Sequence, residues 1–408
     1  MRRLWYSPTL RTVVVMGASG AGFAAANLVL ARVLPTAEYA LFTLVVALVN
    51  VGHPLAPAGV DGIVNRRQLD AGPALLRRTL LACLLVALGI GLIGGLAYHL
   101  SPGVLVLLFV SILAGGAMMV AGAQFQSEQR YGISLALIQS PNLVLLLAGL
   151  AVLVSRVGAV WLPLLIYMLG FVAAAWLGWR LLFRERTGKP ARESWFPWGE
   201  ALAYAGVGAS GLLLVQLERL IIPYVLPDRD LATFGVLAAI AGSLFRVLQM
   251  GVGYTLLPRL RAAAGVIERR RLIAHEALLV GAIVVLGSAV IWFVTPLIER
   301  WVLAGKYHLG SALLIAAVVS GVAKILNAFT KSTLTALATA AELSLVNVLG
   351  WVSAGLAIGA ALLGARWGLA GVIYGVGLGW LLRAAAALYF TLSHLRLPAT
   401  VPVTAPLG

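Results

Sequence analysis

The sequence has little charge. Asp, Glu, Lys and Arg make up 11% of its 408 residues, whereas hydrophobic residues make up 61%. Soluble domains carry charge at about a quarter of their positions. A single aqueous core cannot bury so large an apolar fraction, so the composition excludes an ordinary soluble protein. It indicates an integral membrane protein, with lipid as part of its solvent.

Cysteine is almost absent. Cys83 is the only one, and it lies within an apolar run. The chain therefore cannot form an intramolecular disulfide or a cysteine-based metal cluster. We interpret Cys83 as a small packing residue between helices.

Acidic residues are scarce as well. The chain has 14 Asp and Glu against 30 Lys and Arg, for a formal net charge of +16. A strongly basic protein can bind nucleic acid, but here the cations form short clusters between apolar runs and no nucleic-acid motif is present. Such clusters are typical of the cytoplasmic loops of membrane proteins. We expect no nucleic-acid partner.

Long apolar runs dominate the chain. A membrane-spanning helix needs roughly 20 predominantly apolar residues. By that measure the sequence contains twelve candidates, the tenth of which is interrupted by Lys324 and Lys331. They are 12–31, 38–60, 79–99, 102–123, 132–155, 158–180, 201–226, 231–256, 273–297, 310–330, 342–364 and 368–391.

The distribution of positive charge predicts the orientation. With the N-terminus in the cytoplasm, twenty Lys and Arg fall on the cytoplasmic side, six fall on the other side, and the remaining four lie within spans. The positive-inside rule then places both termini in the cytoplasm. The face that carries the twenty cations is called the basic face below, and the other is called the opposite face.

The two halves of the chain resemble each other. Residues 32–48 align without a gap on residues 224–240, at an offset of 192, and share a Val-Leu-Pro sequence. The sequence therefore predicts an all-α polytopic membrane protein of two six-helix lobes, related by a parallel repeat about a central cavity. The predicted divisions are an N-terminal lobe (1–183), a cytoplasmic linker (184–200), a C-terminal lobe (201–396) and a cytoplasmic tail (397–408).

Four cations lie inside the predicted spans: Arg219, Arg246, Lys324 and Arg383. A charge at the bilayer centre costs roughly 2.5–3.5 kcal/mol on insertion scales, so such residues usually face a cavity or pair with another group. We predict that they bind an anionic substrate, with Arg66 meeting it at the cytoplasmic mouth. The alternative is that their side chains extend to the lipid headgroups.

Two further residues are candidates for energy coupling. Glu218 is a carboxylate within the seventh span, where it is either a proton or cation site or one half of a structural ion pair. His53 lies between Asn50 and Pro54 in the second span. Pro54 and Pro57 are expected to kink or unwind that helix. His53 is therefore either a titrating group beside a cavity or a packed, hydrogen-bonded histidine.

Three stretches resemble a known family: GASGAGFAAANLVLARVLPTAEYALFTLVVAL (17–48), VQLERLIIPYVLPDRDLATFGVLAAI (215–240) and GARWGLAGVIYGVGLGWLLRAAAALYFTLSH (364–394). They are similar to bacterial polysaccharide or O-antigen flippases of the multidrug/oligosaccharidyl-lipid/polysaccharide exporter superfamily. The resemblance implies transport of an undecaprenyl-pyrophosphate-linked glycan across the bacterial inner membrane by alternating access. It also implies membrane lipids, and glycosyltransferases or a polymerase of the same pathway, as partners.

Other functions compete with this reading. A drug/cation antiporter of the same superfamily would be expected to have a carboxylate deep in the first lobe, and spans one to six have none in the middle. Lipid II flippases tend to be longer, with two additional helices. A membrane glycan polymerase usually carries a large external loop, and the external loops here are short. We identify no catalytic residue, metal ligand set or cofactor motif, so we do not expect an enzyme.

Overall fold

The computed structural model describes residues 8–67, 69, 71–184, 196–243, 245, 260, 263 and 265–396. Within these residues the chain is helical and contains no β-strand. The helices are α1 (Pro8–Val33), α2 (Thr36–Leu55), α3 (Val60–Arg67), α4 (Pro73–Tyr98), α5 (Pro102–Ser127), α6 (Tyr131–Ser155), α7 (Trp161–Arg184), α8 (Trp198–Val225), α9 (Asp228–Leu237), α10 (Val266–Leu297), α11 (Ser311–Leu337), α12 (Ala340–Gly364) and α13 (Gly368–Arg396). π-Helical turns at Ala238–Gly242 and Ile298–Val302 extend α9 and α10.

All of these helices except the short α3 correspond to the twelve predicted spans. Nine stretches of the described residues are long and apolar enough to cross a membrane, and the last of them, Ala341–Leu395, includes nearly all of α12 and α13. Helix α11 continues through Lys324 and Lys331 without a break. The chain is therefore a multi-pass membrane protein, as its composition predicts.

The outer faces of the bundle are apolar. Helix α4 has a row of leucines at helical spacing, and all of them are exposed: Leu81, Leu85, Leu88, Leu92 and Leu96. Only 11% of the most apolar 18-residue stretch within Val266–Val302 is buried, so α10 lies at the periphery of the bundle. Exposed apolar helix faces of this kind are expected to contact lipid.

The second span is shorter than the sequence predicts. The expected helix was 38–60, but α2 ends at Leu55. Pro57 has no backbone N–H to continue the ladder, and Ala58 and Gly59 have φ values of 49° and 83°. The chain then turns into α3. Unwinding near Pro54 and Pro57 was expected; the helix continues through Pro54 and ends before Pro57.

The helices pack as two lobes. Helices α1–α7 contact one another and α8–α13 contact one another, while α2 packs against α8 and α9 across the interface between the lobes. This is the two-lobe architecture that the sequence predicts. The residue boundaries of the predicted domains stay predictions, because most of the linker and the whole tail 397–408 lie outside the described residues.

The repeat is visible where helices break. Helix α1 ends at Val33 and α2 begins at Thr36, while α8 ends at Val225 and α9 begins at Asp228. These positions match at the offset of 192. Thr43 and Gly235 are also equivalent at this offset, and a β-carbon added at Gly235 would lie 2.6 Å from Thr43 Oγ1. Contact between equivalent residues is expected where a two-fold axis relates the lobes.

Candidate functional site: a central polar cavity

A cavity of about 300 Å³ lies between the two lobes. Helices α1, α2 and α6 form one wall, and α8, α9, α11 and α13 form the other. The π-helical turn Ala238–Gly242 belongs to the second wall, and π turns inside helices often occur at functional sites. The polar side chains in the lining are Asn50, His53, Gln139, Asn142, Gln216, Glu218, Arg219, Ser243, Ser320 and Lys324.

An ion pair spans the C-terminal wall of the cavity. Lys324 Nζ on α11 lies 2.9 Å from Glu218 Oε1 on α8. The Glu218 side chain is only 1% exposed, whereas that of Lys324 is 23% exposed. The second carboxylate oxygen, Glu218 Oε2, is buried and has no hydrogen-bond partner. The structure thus forms the ion pair that was one of the two interpretations of Glu218, and it leaves one acceptor unused.

Arg219 lines the same wall. Its Nη1 donates to Gln216 Oε1 at 2.8 Å, and the residue is 9% exposed. Glu218 and Arg219 are adjacent in sequence and therefore about 100° apart around α8. They do not pair with each other, and each has its own partner at the cavity. Two of the four predicted intramembrane cations, Arg219 and Lys324, are therefore brought together.

The N-terminal wall carries neutral polar groups instead of charges. Ser19 Oγ donates to Gln139 Oε1 at 2.7 Å, and Asn142 Nδ2 donates to Ser19 Oγ at 2.9 Å. This network joins α1 to α6. Sequence reasoning missed Gln139 and Asn142 because they are uncharged. The available signal was two amides on either side of Pro141 within an otherwise apolar run.

His53 lies at the end of the cavity nearer the basic face. Its ring is 5.2 Å from that of Phe171 on α7, and its β-carbon approaches Gly115 on α5. His53 is therefore packed within the N-terminal lobe and also lines the cavity. This placement is compatible with both roles considered for it.

The other predicted site residues lie elsewhere. Arg246 is outside the described residues. Arg383 lies inside the C-terminal lobe, close to Gly211 and Gly350, and is not among the residues that line the cavity. Arg66 lies at the basic face, where its Nη1 is 2.7 Å from Glu200 Oε1.

Hydrogen bonds join the two lobes at the opposite face. Lys306, in the loop between α10 and α11, donates to the carbonyls of Ala31 and Leu34. Tyr98 Oη donates to the Leu220 carbonyl at 2.9 Å. Backbone carbonyls at the C-terminal ends of helices are ready acceptors for such donors.

The basic face also has contacts between the lobes. Arg66 and Arg67 of α3 both bind Glu200, in the first turn of α8. The cations are 62% and 49% exposed, so solvent screens these pairs. Nearby, burial raises the pKa of Asp61 above its ordinary value. The basic face is therefore joined by exposed ion pairs, whereas the opposite face is joined by hydrogen bonds to helix ends.

Three or more His, Cys, Asp or Glu residues do not come together as a metal site anywhere in the described part of the chain. The chemistry that the cavity offers is accordingly ionic and hydrogen-bonding. It presents two cations and one carboxylate on the C-terminal wall, and amides and hydroxyls on the N-terminal wall.

The structure is similar to the solved structures of several transporters. The structure superposes on an inward-facing multidrug resistance MATE family transporter of the MOP superfamily with a TM-score of 0.61 and 11% identity, covering 93% of this chain and 94% of the other. The superposition on the lipid II flippase MurJ, in an inward closed conformation, has a TM-score of 0.64 at 9% identity. It covers 93% of this chain and 87% of MurJ. The superposition on a eukaryotic MATE transporter has a TM-score of 0.55 at 12% identity, and it covers 94% of this chain and 95% of the other.

No protein-family model matches the sequence, and no curated protein matches it. At identities of 9–12% the structural similarity establishes the fold and leaves the substrate open. The two-lobe helical fold expected from the sequence is therefore confirmed over nearly the whole chain. The chain has the two-lobe helical fold of multidrug exporters and of a lipid II flippase.

Proposed function

We propose that this protein is a membrane transporter that flips an undecaprenyl-pyrophosphate-linked oligosaccharide or polysaccharide precursor across the bacterial inner membrane by alternating access. The observation that carries the proposal is the presence of two cations, Arg219 and Lys324, on one wall of a cavity between two lobes. A pyrophosphate is a multiply charged anion, and Arg and Lys are its usual ligands in proteins.

The N-terminal wall of the cavity suits the sugar part of such a substrate. Gln139, Asn142 and Asn50 present amide groups that both donate and accept hydrogen bonds. Sugar hydroxyls need partners of both kinds. The prenyl chain requires none of these groups, since it stays in the lipid while the headgroup crosses. Shielding a hydrated anion in this way needs no nucleophile and no general base.

Glu218 and His53 are the proposed coupling groups. Glu218 competes with an anionic headgroup for Lys324, because both bind the same ammonium group. Arrival of the headgroup would release the carboxylate, which could then accept a proton or a cation. Arg66 is proposed to meet the headgroup at the basic face, which we assign to the cytoplasm together with both termini.

A drug/cation antiporter is the second candidate, and the similarity to multidrug transporters favours it. Glu218 is the carboxylate that would bind an organic cation. Its ion pair with Lys324 argues against this role, because the ammonium group already neutralises it. A third alternative, a lipid II flippase, would move a substrate with the same anionic headgroup and a different glycan.

The test is transport in vesicles reconstituted with the purified protein. Arg219→Gln and Lys324→Gln remove charge and keep most of the side-chain length. Each should slow movement of a fluorescent undecaprenyl-pyrophosphate-linked oligosaccharide about tenfold or more at subsaturating substrate, because hydrogen bonds to charged groups contribute roughly 1.5–3 kcal/mol.

Arg366→Gln is the matched control, since Arg366 is an exposed cation at the opposite face. It should transport at the wild-type rate. Normal transport by both cavity variants would show that these cations do not hold the headgroup. Wild-type vesicles that move an organic cation and exclude the lipid-linked glycan would favour the antiporter.

A further inference from the structure

A second cavity lies on the outer side of the N-terminal lobe. It has a volume of about 600 Å³ and forms a groove between α4 and α7, with α5 as its floor. Both α4 and α7 pack against α5. None of the residues that line this groove also lines the central cavity. The groove is therefore a separate feature of the lobe, and the proposed transport site does not include it.

The shape of the groove follows from its side chains. The floor contains the small residues Ala114 and Ala117 of α5. Trp179 Nε1 donates to the Ala117 carbonyl at 3.0 Å, which holds the indole ring beside the floor. Trp176 and Phe183 also line the groove from α7, and both are exposed. Large aromatic side chains beside a floor of small residues leave a trough that the protein itself does not fill.

The length of the groove corresponds to one leaflet of the membrane. Its lining on α7 extends from Val172 to Phe183, which is about 16 Å at the helical rise of about 1.5 Å per residue. The hydrocarbon core of a bilayer is about 30 Å thick. Helix α7 ends at Arg184, at the basic face. The groove therefore occupies the half of the bilayer that is next to the basic face.

One charged side chain, Arg180, lines the groove near its basic-face end. Its guanidinium carbon lies 4.8 Å from the centre of the Trp176 ring, and it forms no ion pair within the described part of the chain. Helices α4, α5 and α7 contain no Asp or Glu, whereas Arg77 and Arg78 lie near the start of α4. The groove therefore suits a ligand that is apolar along its length and negatively charged at the end next to the basic face.

We propose that this groove binds one acyl chain of an anionic phospholipid from the basic-face leaflet, and that Arg180 binds the phosphate of its headgroup. Guanidinium groups bind phosphate through paired hydrogen bonds, and basic pockets between membrane helices are typical sites for anionic headgroups. The bound acyl chain contacts both α4 and α7, and it thereby stabilises the outer side of the N-terminal lobe.

The charge beside Arg180 distinguishes a phospholipid from the prenyl chain of the proposed substrate. The pyrophosphate of that substrate is assigned to Arg219 and Lys324 in the central cavity, which shares no lining residue with the groove. A prenyl chain in the groove would therefore bring no negative charge to Arg180. A phospholipid of the adjacent leaflet brings both the apolar chain and the phosphate.

The proposal is tested by photo-crosslinking of the purified protein in phosphatidylcholine nanodiscs that contain a minor fraction of phosphatidylglycerol. The phosphatidylglycerol carries a diazirine in one acyl chain, and mass spectrometry locates the labelled peptides. Labels are expected on the groove residues of α5 and α7, and excess unlabelled phosphatidylglycerol should displace them. Phosphatidylcholine with the same diazirine, at the same fraction, should label these residues severalfold less.

Two pairs of variants separate the groove from the rest of the surface. Arg180→Gln should reduce groove labelling by phosphatidylglycerol about fivefold, the factor that one cation contributes beside an anionic lipid surface. Arg271→Gln removes an exposed cation at the basic face of the other lobe and should leave the labelling unchanged. Ala114→Phe fills the floor of the groove and should abolish the labelling, whereas Leu85→Phe, at an exposed position of α4 outside the groove, should retain it.

The proposal is wrong if the two labelled lipids react equally with the groove, because the groove would then take up any lipid of the bilayer. It is also wrong if Arg180→Gln is labelled as strongly as the wild type. Displacement of phosphatidylglycerol by an equal concentration of lipid-linked glycan would assign the groove to the prenyl chain instead. None of these measurements involves transport, so failure here leaves the proposed function untouched, and failure of the transport assay leaves this site untouched.

Discussion

Replacement of Lys324 by methionine is expected to leave the Glu218 carboxylate in the interior without its counter-charge. Glu218 is 1% exposed, and its second oxygen already lacks a hydrogen-bond partner. Removal of one partner from a buried ion pair costs about 3–5 kcal/mol, because the other charge is left uncompensated. Lys324→Met should therefore lower the free energy of unfolding by about that amount.

Removal of the carboxylate instead of the ammonium group should destabilise the protein less. Glu218→Gln leaves Lys324 without its carboxylate, but the Lys324 side chain is 23% exposed and faces the cavity, where water can solvate it. We expect a cost of about 1 kcal/mol, the size of one ordinary hydrogen bond. The double variant, with a neutral residue at both positions, should be more stable than Lys324→Met alone, since it contains no buried charge.

The assay is denaturant-induced unfolding in mixed micelles, followed by tryptophan fluorescence. The four proteins form a double-mutant cycle, and the coupling energy between the two positions measures the pair. Arg366→Met, at an exposed position, is the control and should change stability by less than about 0.5 kcal/mol. Equal losses from both single variants, or a double variant as unstable as Lys324→Met, would refute this reasoning.

Two other predictions concern the interface between the lobes. Gly235→Leu should destabilise the protein by about 1–3 kcal/mol through overpacking against Thr43. The control Gly281→Leu, at a site with nothing within 4 Å, should change stability little. Equal free energies of unfolding for the two variants would contradict the tight contact. Combining Lys306→Met with Tyr98→Phe removes the donors that join the lobes at the opposite face. Spin-label distances across that face should then lengthen, and an unchanged distance distribution would show that these hydrogen bonds do not hold it closed.

The sequence was sufficient to predict most of the fold. Spans follow from the length of apolar runs, and the break at Val33–Thr36 recurs at Val225–Asp228 because both contain a Leu-Pro step. The end of α2 was placed five residues too late. The apolar composition of 38–60 predicts one continuous span, whereas the positive φ values at Ala58 and Gly59 are incompatible with a continuing helix.

The candidate site was predictable only in part. Charge within an apolar run is a strong local signal, and it led to Glu218, Arg219 and Lys324. Their arrangement was not predictable, because the Glu218–Lys324 pair joins residues 106 positions apart on helices that need not be neighbours. The amides Gln139 and Asn142 carry no charge, and their role depends on α1 packing against α6. Arg383 has the same sequence signal as Arg219, yet its helix face directs it into the lobe and away from the cavity.

The most direct test of the central claim is the accessibility of the cavity from each side of the membrane. A single cysteine is placed at Ala317, which lines the cavity and is partly exposed, in a Cys83→Ala background. Reference cysteines at Gly132 and Ala304, which are exposed at the basic and opposite faces, report the sidedness of sealed vesicles. Alternating access predicts that an impermeant thiol reagent modifies position 317 from either side, and that the lipid-linked glycan protects it. Modification from one side only, or with no protection by the glycan, would contradict the account.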